Sequence, residues 1–427
     1  MKRISSRRTN IHTHFLSQPT TTMENKVVKT MIGAVALSSA AMAGPITDTA
    51  VGPVATPTTN GGDFCNTLQN FGTLYKDKSN PYIQEVTVFG RFQGQYAYVD
   101  GSDVNGQDFN RDFEEVRRLR AGIKIKAFNG FQLKANVNLE DDDKPTGGDR
   151  KFGYQSFDQF KASYKMKDVM GFDSLQLTYG RHKIKVGHES HTSSKKIKTV
   201  ERSSLSNKIY DNRYTGFMLE AERGGMEGTL GILSLDKSDF VGNWDAGNAI
   251  YASTGFEAMG GDVLLDVFYN LDQGTADDQV VVGYEWVASA AWDGSIGDWD
   301  LMVNLAVGDN GDNSNADREG AFYGLVIMPS KYIVEDKVEF VARYQFQGST
   351  EAEGIRTNSR YVRRAELGAT DLGSGRGDSH HSIYTGLNYF FCGQNSKIMT
   401  GVEYETLTAE DGDVDATTLW LAYRMFF

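Results

Sequence analysis

From residue 83 to the end, this chain is built of short segments in which apolar and polar residues alternate with a period of two. In 131–139, Phe131, Leu133, Ala135, Val137 and Leu139 fall on one face, and Gln132, Lys134, Asn136 and Asn138 on the other. The 297–307 segment repeats the pattern, with Trp299, Leu301, Val303, Leu305 and Val307 opposite Asp298, Asp300, Met302 and Asn304. Successive side chains of a strand point to opposite faces, so each segment reads as a strand with one oily and one wet side. No stretch after residue 45 reaches the roughly 18 to 20 uninterrupted apolar residues that a spanning helix needs. Strands carry the architecture.

Sixteen such segments read out, at 83–99, 113–128, 131–140, 156–167, 173–186, 213–223, 226–235, 248–259, 261–272, 279–293, 297–308, 319–329, 334–347, 379–391, 396–408 and 414–427. Tight turns at Asn129-Gly130, Arg223-Gly224-Gly225, Gly260-Gly261 and around Gly294 contrast with long connections at 140–156, 187–213, 308–319 and 347–379. An even strand count with short turns at one end and long loops at the other is the signature of a membrane barrel wide enough for water. A soluble β-sandwich also alternates, but it has no use for aromatic residues at both ends of so many strands. Tyr284, Trp286, Trp292, Trp299, Tyr332, Tyr389, Trp420 and Tyr423 fall near strand ends, where interfacial girdles belong. The closing run Tyr423 to Phe427 alternates to a terminal aromatic, which suits barrel assembly. The expected fold class is all-β, a 16-stranded antiparallel transmembrane β-barrel over residues 83–427.

The segment before the barrel reads as an export signal. Met23 opens a region with Lys26 and Lys29, Met31 to Ala40 form an apolar core, and Ala41-Met42-Ala43 gives a small-x-small cleavage site. Residues 23–43 are thus the expected signal peptide, and 1–22 an extension from a start codon assigned too early. Residues 44–82, opening on a stretch rich in Pro, Thr, Gly and Ala, read as a flexible N-terminal segment. Dropping six basic residues and one acid with residues 1–43 leaves 38 basic against 55 acidic residues, a net charge of −17. Such a balance excludes nucleic acid as a partner. Cys65 and Cys392 are the two cysteines, and an exported chain makes them a disulfide candidate, with two free thiols as the alternative. Cys65 leads into the first strand and Cys392 lies in the turn between strands 14 and 15, which places both on the periplasmic side.

Two stretches resemble the phosphate-selective porin O and P family. Phe113 to Phe128 (FEEVRRLRAGIKIKAF) is similar to that family's arginine-rich second strand. Leu177 to Phe217 carries a G-x-x-K core, Glu189, the Thr192-Ser193-Ser194-Lys195 run and the Glu201-Arg202-Ser203 triplet at the family's spacing. The resemblance implies a homotrimeric channel in the cell outer membrane, surrounded by lipid and passing small inorganic anions such as phosphate. It also implies that the loop holding Lys195, Lys196, Lys198 and Arg202 folds into the barrel as the constriction.

Parity supplies the wall. With Leu119, Ala121, Ile123 and Ile125 toward lipid, Arg118, Arg120, Lys124 and Lys126 point into the lumen, and neighbouring strands add Arg91, Lys134, Lys161 and Lys165. The alternation fails after Gly180, where Arg181, Lys183 and Lys185 continue the parity of Leu175, Leu177 and Tyr179, so the strand bends or ends there. The opposite half sends Glu257, Asp266, Glu285, Asp298, Asp300, Glu339, Glu403 and Glu405 inward, relieved by Arg343 and Arg424. A basic wall facing an acidic one creates a transverse field.

His188, His191 and His380-His381 lie in loops near Ser and Asp, yet no G-x-S-x-G or H-E-x-x-H occurs. Asp141-Asp142-Asp143 and 309–319 depart from calcium-loop spacing, so no metal site and no cofactor is expected. The expected function is a passive diffusion porin whose basic constriction favours anions. The alternatives are a general or cation-leaning porin and, more remotely, a hydrolase barrel.

Overall fold

The computed structural model describes residues 62–140, 152–209, 213–235, 242, 244–272, 283–312, 315–357 and 359–427. The expected extension, signal peptide and residues 44–61 lie outside the described residues, as does Asp141-Asp142-Asp143.

Sixteen strands form the barrel wall: β1 (Ile83–Ser102), β2 (Asp108–Ala127), β3 (Phe131–Glu140), β4 (Phe152–Val169), β5 (Phe172–Lys183), β6 (Arg213–Arg223), β7 (Met226–Ser234) and β8 (Asn248–Ala258), followed by β9 (Gly261–Asn270), β10 (Trp286–Ile296), β11 (Trp299–Asp309), β12 (Ala321–Val334), β13 (Val338–Ser349), β14 (Ser379–Phe390), β15 (Ser396–Ala409) and β16 (Gly412–Phe426). Each pairs antiparallel with its neighbours in sequence. The wall closes where β16 pairs β1, from Phe426 opposite Arg91 to Asp415 opposite Ser102. Closure leaves no strand edge, the condition for a sheet to sit in lipid.

The two faces follow the sequence parity. Along β14, Ile383, Leu387 and Tyr389 are exposed on the lipid side, whereas His380, Ser382, Tyr384 and Asn388 are buried in the interior. Trp286, Trp292, Trp299, Tyr389 and Tyr423 stand on the outer parity, as girdle residues would. Tyr284, Tyr332 and Trp420 do not: Tyr284 donates to the Ile209 carbonyl inside the barrel (2.8 Å), Trp420 packs on Tyr361, and Tyr332 lines an interior cavity. Two acids read as inward also face elsewhere. Glu285 accepts from Tyr269 on the outer parity (3.2 Å), and Asp298 sits exposed in a turn with Lys331 at 3.1 Å.

Two bulges interrupt the parity. Gln93 pairs with Arg118 and Gly94 with Val116, so Arg117 is an extra residue and both arginines reach the lumen. In β4, Gln159 opposes Asn136 and Phe157 opposes Val137, which leaves Asp158 over and turns its carboxylate onto Arg120 (2.8 Å) and Arg213 (2.6 Å).

Residues 62–82 correct the expectation of a flexible lead-in. Helix α1 (Gly62–Asn70) and a short strand, Thr73–Lys76, pack at the end of the barrel that carries the short turns, the strand pairing with β1. Cys65 and Cys392 are joined as a disulfide, with Cα atoms 5.3 Å apart. The Phe71 ring meets Phe427 edge-on at 5.2 Å.

We therefore expect oxidised protein to show no reactive thiol when denatured. Cys392→Ser should keep the heat-modifiable mobility of a folded barrel while residues 62–76 become susceptible to protease. A protected segment in that variant would show that strand pairing alone holds it.

Candidate pore constriction

The connection after β5 turns inward because its strand is bent. Gly180 adopts φ 125°, and a Cβ there would stand 2.3 Å from the Phe160 carbonyl oxygen. Beyond it the Arg181 Nε donates to the Phe157 carbonyl at 3.0 Å, and Lys183 reaches the Ser190 carbonyl inside the barrel. The connection then carries two short helices, α2 (His188–His191) and α3 (Ser204–Ile209).

Strands β1, β9 to β11 and β13 to β16 hold this loop. The Gly187 amide donates to Asp266 of β9 (2.9 Å) and the His188 amide to Asn304 of β11 (2.8 Å). The His191 Nε2 lies 2.9 Å from Asp266, and the His188 Nε2 2.7 Å from Asp293 of β10. Farther along, Arg91 of β1 donates to the Ser194 hydroxyl (2.6 Å), and Gln93 and Arg424 donate to its carbonyl (2.8 and 3.0 Å). Lys397 donates to the Ile197 carbonyl and Asn388 to the Lys198 carbonyl, both at 2.8 Å. The anchor of the far end is Arg343 of β13, which has no solvent exposure at its side chain. Its guanidinium donates to Thr199 (3.0 Å), to the Glu201 carbonyl (2.8 Å) and to Glu403 (2.9 Å), with Glu189 at 3.6 Å.

Residues of the family-like motif mostly hold the loop's own shape. Glu189 accepts from the Ser203 amide at 2.9 Å. Arg202 is buried, donating to the Glu189 and Thr192 carbonyls at 2.7 and 2.9 Å, so it braces the loop and does not line the passage as its sequence reading expected. Glu201 takes Arg117 at 2.8 Å and Gln95 at 2.9 Å. Burial opposes its ionisation, but Arg117, Arg118, Arg360 and Arg424 outweigh that and hold the carboxyl well below the usual carboxylate range.

A second inward connection, 350–378, was legible only as a long loop. Its helix α4 (Arg360–Arg364) places the Tyr361 ring on Phe113 at 4.9 Å, and its hydroxyl donates to Glu115 and accepts from Gln95. Arg360 meets Glu115 at 3.0 Å. Neither contact has a signal in the local sequence.

The sequence-read cations divide by partner. Glu85 takes Lys124 (2.6 Å) and Lys126 (3.0 Å), Glu222 takes Lys165 (2.9 Å), and Asp158 takes Arg120. Lys198 belongs to the acidic side, 3.2 Å from Asp300 and 3.5 Å from Glu339, and these carboxylates raise its pKa against the opposing effect of burial. Arg118 donates to the neutral Gln93 amide oxygen at 2.9 Å. Lys134, Lys161, Lys195 and Lys196 form no salt bridge among the described residues. Lys134 stands directly opposite both Lys124 and Lys161 across the sheet, a run of like charge. Lys195 lies over the Phe426 ring at 4.4 Å; burial, then Arg91, Lys134 and Lys196, pull its pKa down to about 8.

A family model described as phosphate-selective porin O and P matches residues 86–263. The chain is an outer-membrane porin. None of the curated proteins matches it. Among solved structures it resembles the outer membrane channel DcaP of Acinetobacter baumannii, 13% identical over 83% of this chain and 99% of that one, with a TM-score of 0.52. OmpF of Salmonella typhi is likewise 13% identical over 82% of this chain and 100% of the other, with a TM-score of 0.50. At that identity the likeness speaks for the barrel fold alone.

In this porin Arg343→Ala would leave Glu403 buried without its cation, a change that costs about 3–5 kcal/mol. The loop is the part able to relax. We expect single-channel conductance to rise and become noisy while the barrel stays folded, and an unchanged conductance would show the remaining contacts suffice.

Proposed function

We propose that this porin is a passive diffusion channel, working as a homotrimer, whose constriction favours small anions with phosphate among them. The observation that supports this is a set of cations with no carboxylate of their own. Arg118, Lys134, Lys161, Lys185, Lys195 and Lys196 make no salt bridge among the described residues, whereas most other cations read onto the wall are neutralised by named acids. Unneutralised lysines and a forked arginine replace part of an anion's hydration, and several weak sites in series allow entry without trapping. Charge at the narrowest point governs selectivity, since more distant charge is screened within about 8 Å at physiological salt. A net charge of −12 on the whole chain is therefore compatible with an anion preference.

A second reading, a cation-leaning general porin, is favoured by one observation. The cavity on the other side of the loop, about 860 Å³, carries eight acids in its lining against Lys196, Lys198 and His188.

Bilayer reversal potentials under a chloride gradient separate the two. Lys134→Glu with Lys161→Glu and Lys195→Glu should lower the chloride-to-potassium permeability ratio severalfold and weaken phosphate block of chloride current. Lys331→Glu, on the outer surface, is the control. Unchanged selectivity in a folded triple variant would favour the second reading. Crosslinking in mild detergent should yield trimers, and a monomer would remove that part of the proposal.

The titration of Lys195 adds a pH dependence. Its pKa of about 8 lies below the usual lysine value, so it is charged below that pH and neutral above it. Anion preference should hold up to about pH 7 and fall as pH rises through 8. Lys195→Arg, which stays charged, should lessen that fall, and a flat wild-type profile would show that Lys195 does not face the passing ions.

A further inference from the structure

Five aromatic rings on the inner parity of the wall, Phe113, Phe268, Phe322, Tyr384 and Trp420, belong to the core and are at most 3% exposed. Phe89 of β1 and Phe426 of β16 also face inward, yet both are only half-buried. The Phe89 ring reaches over Gly122, its neighbour across the sheet on β2, where a Cβ would stand 2.6 Å from the ring. Any larger residue at 122 would push the ring off the wall. The pore thus keeps aromatic surface open beside its basic side.

Ammonium groups gather around the two rings. Lys195 of the inward loop stands 4.4 Å from the centre of the Phe426 ring and 5.9 Å from that of Phe89. Lys134 of β3 stands 5.5 Å from the Phe89 centre, and Lys161 of β4 lies directly opposite Lys134. None of the three lysines forms a salt bridge among the described residues. The two distances to Phe89 are near the limit of about 6 Å for a cation–π contact, so that ring holds its ammonium groups weakly. Each ammonium ends a flexible stem and can turn to an arriving anion. Lys134 and Lys161 repel each other across the strands until an anion lies between them.

A chloride or phosphate ion gains nothing from the rings. A solute that joins an aromatic ring to a carboxylate can use both features at once. Its ring stacks in offset fashion on open aromatic surface, and its carboxylate accepts charge-assisted hydrogen bonds from the lysines. We propose that Phe89, Phe426, Lys134, Lys161 and Lys195 form a subsite for small aromatic carboxylates in the anion path. The solute ring lies on Phe89 beside Phe426, and its carboxylate is held by the three lysines. This rests on the reading that these lysines face the passage, and it adds a solute class to which phosphate does not belong.

The test is bilayer recording in chloride with benzoate, acetate, phosphate or glucose 6-phosphate added. The proposal expects benzoate to block chloride current at a concentration about fivefold below that of acetate, although each carries one charge. That comparison is made on the wild type and does not depend on a variant assembling. Phe89→Leu keeps apolar bulk but removes the ring, and should bring benzoate close to acetate, whereas Phe89→Tyr should keep the preference. In each variant benzoate block is read relative to phosphate block in the same channel, which cancels a change in pore width. Three outcomes overturn the subsite and leave the anion reading standing: benzoate and acetate blocking alike in a chloride-preferring channel, a benzoate preference that survives Phe89→Leu, or glucose 6-phosphate gaining more over phosphate than benzoate gains over acetate, which would assign the rings to a sugar face. A wild-type channel that prefers potassium under the chloride gradient overturns both.

Discussion

Everything in this protein depends on the backbone having nowhere to leave a hydrogen bond unmade. Lipid offers no partner to an exposed amide or carbonyl, so sixteen strands must close, β16 onto β1, before any of them is stable in the membrane. Closure sets the in-and-out order of side chains and encloses a space too wide for wall residues alone to fill. A segment has to enter it. The loop after β5 does so and meets the wall mainly with its own carbonyls and amides, which accept from Arg343, Arg424, Lys397 and Asn388 and donate to Asp266 and Asn304.

These anchors explain how charge is distributed. Cations that hold the loop are spent on carbonyl oxygens or on buried acids, as Arg343 is on Glu403. Cations on β3 and β4 have no such task, and Lys134 and Lys161 form no salt bridge among the described residues. Acids follow the same division: Glu201 and Glu189 build the loop, while Glu257 and Asp262 face space.

Much of this was legible beforehand. All sixteen strands fall on the segments where the alternation was read, because half-lipid, half-water surroundings leave a strong period-two record. The inward loop was legible through its resemblance to a family, although Arg202 and Glu201 then proved to build it. Arg117 was hidden because a single extra residue in β2 reverses parity, and nothing in FEEVRRLRAGIKIKAF marks where the bulge falls. Tyr332 and Trp420 were misread because an aromatic near a strand end serves a girdle or an interior equally well by position alone.

The sequence by itself determined the strand number, the closed antiparallel wall, the ends bearing long and short connections, and which residues of unbroken strands face inward. These depend on local alternation and on the chemistry of lipid and water. Only the tertiary structure decided which inward charges are neutralised, which loops enter the barrel, and where open space remains. Arg343 and Thr199 meet across 144 positions of chain, and Gln95 and Tyr361 across 266. No periodicity encodes such a distance, because a pattern gives the direction of a side chain and the fold alone supplies what it points at.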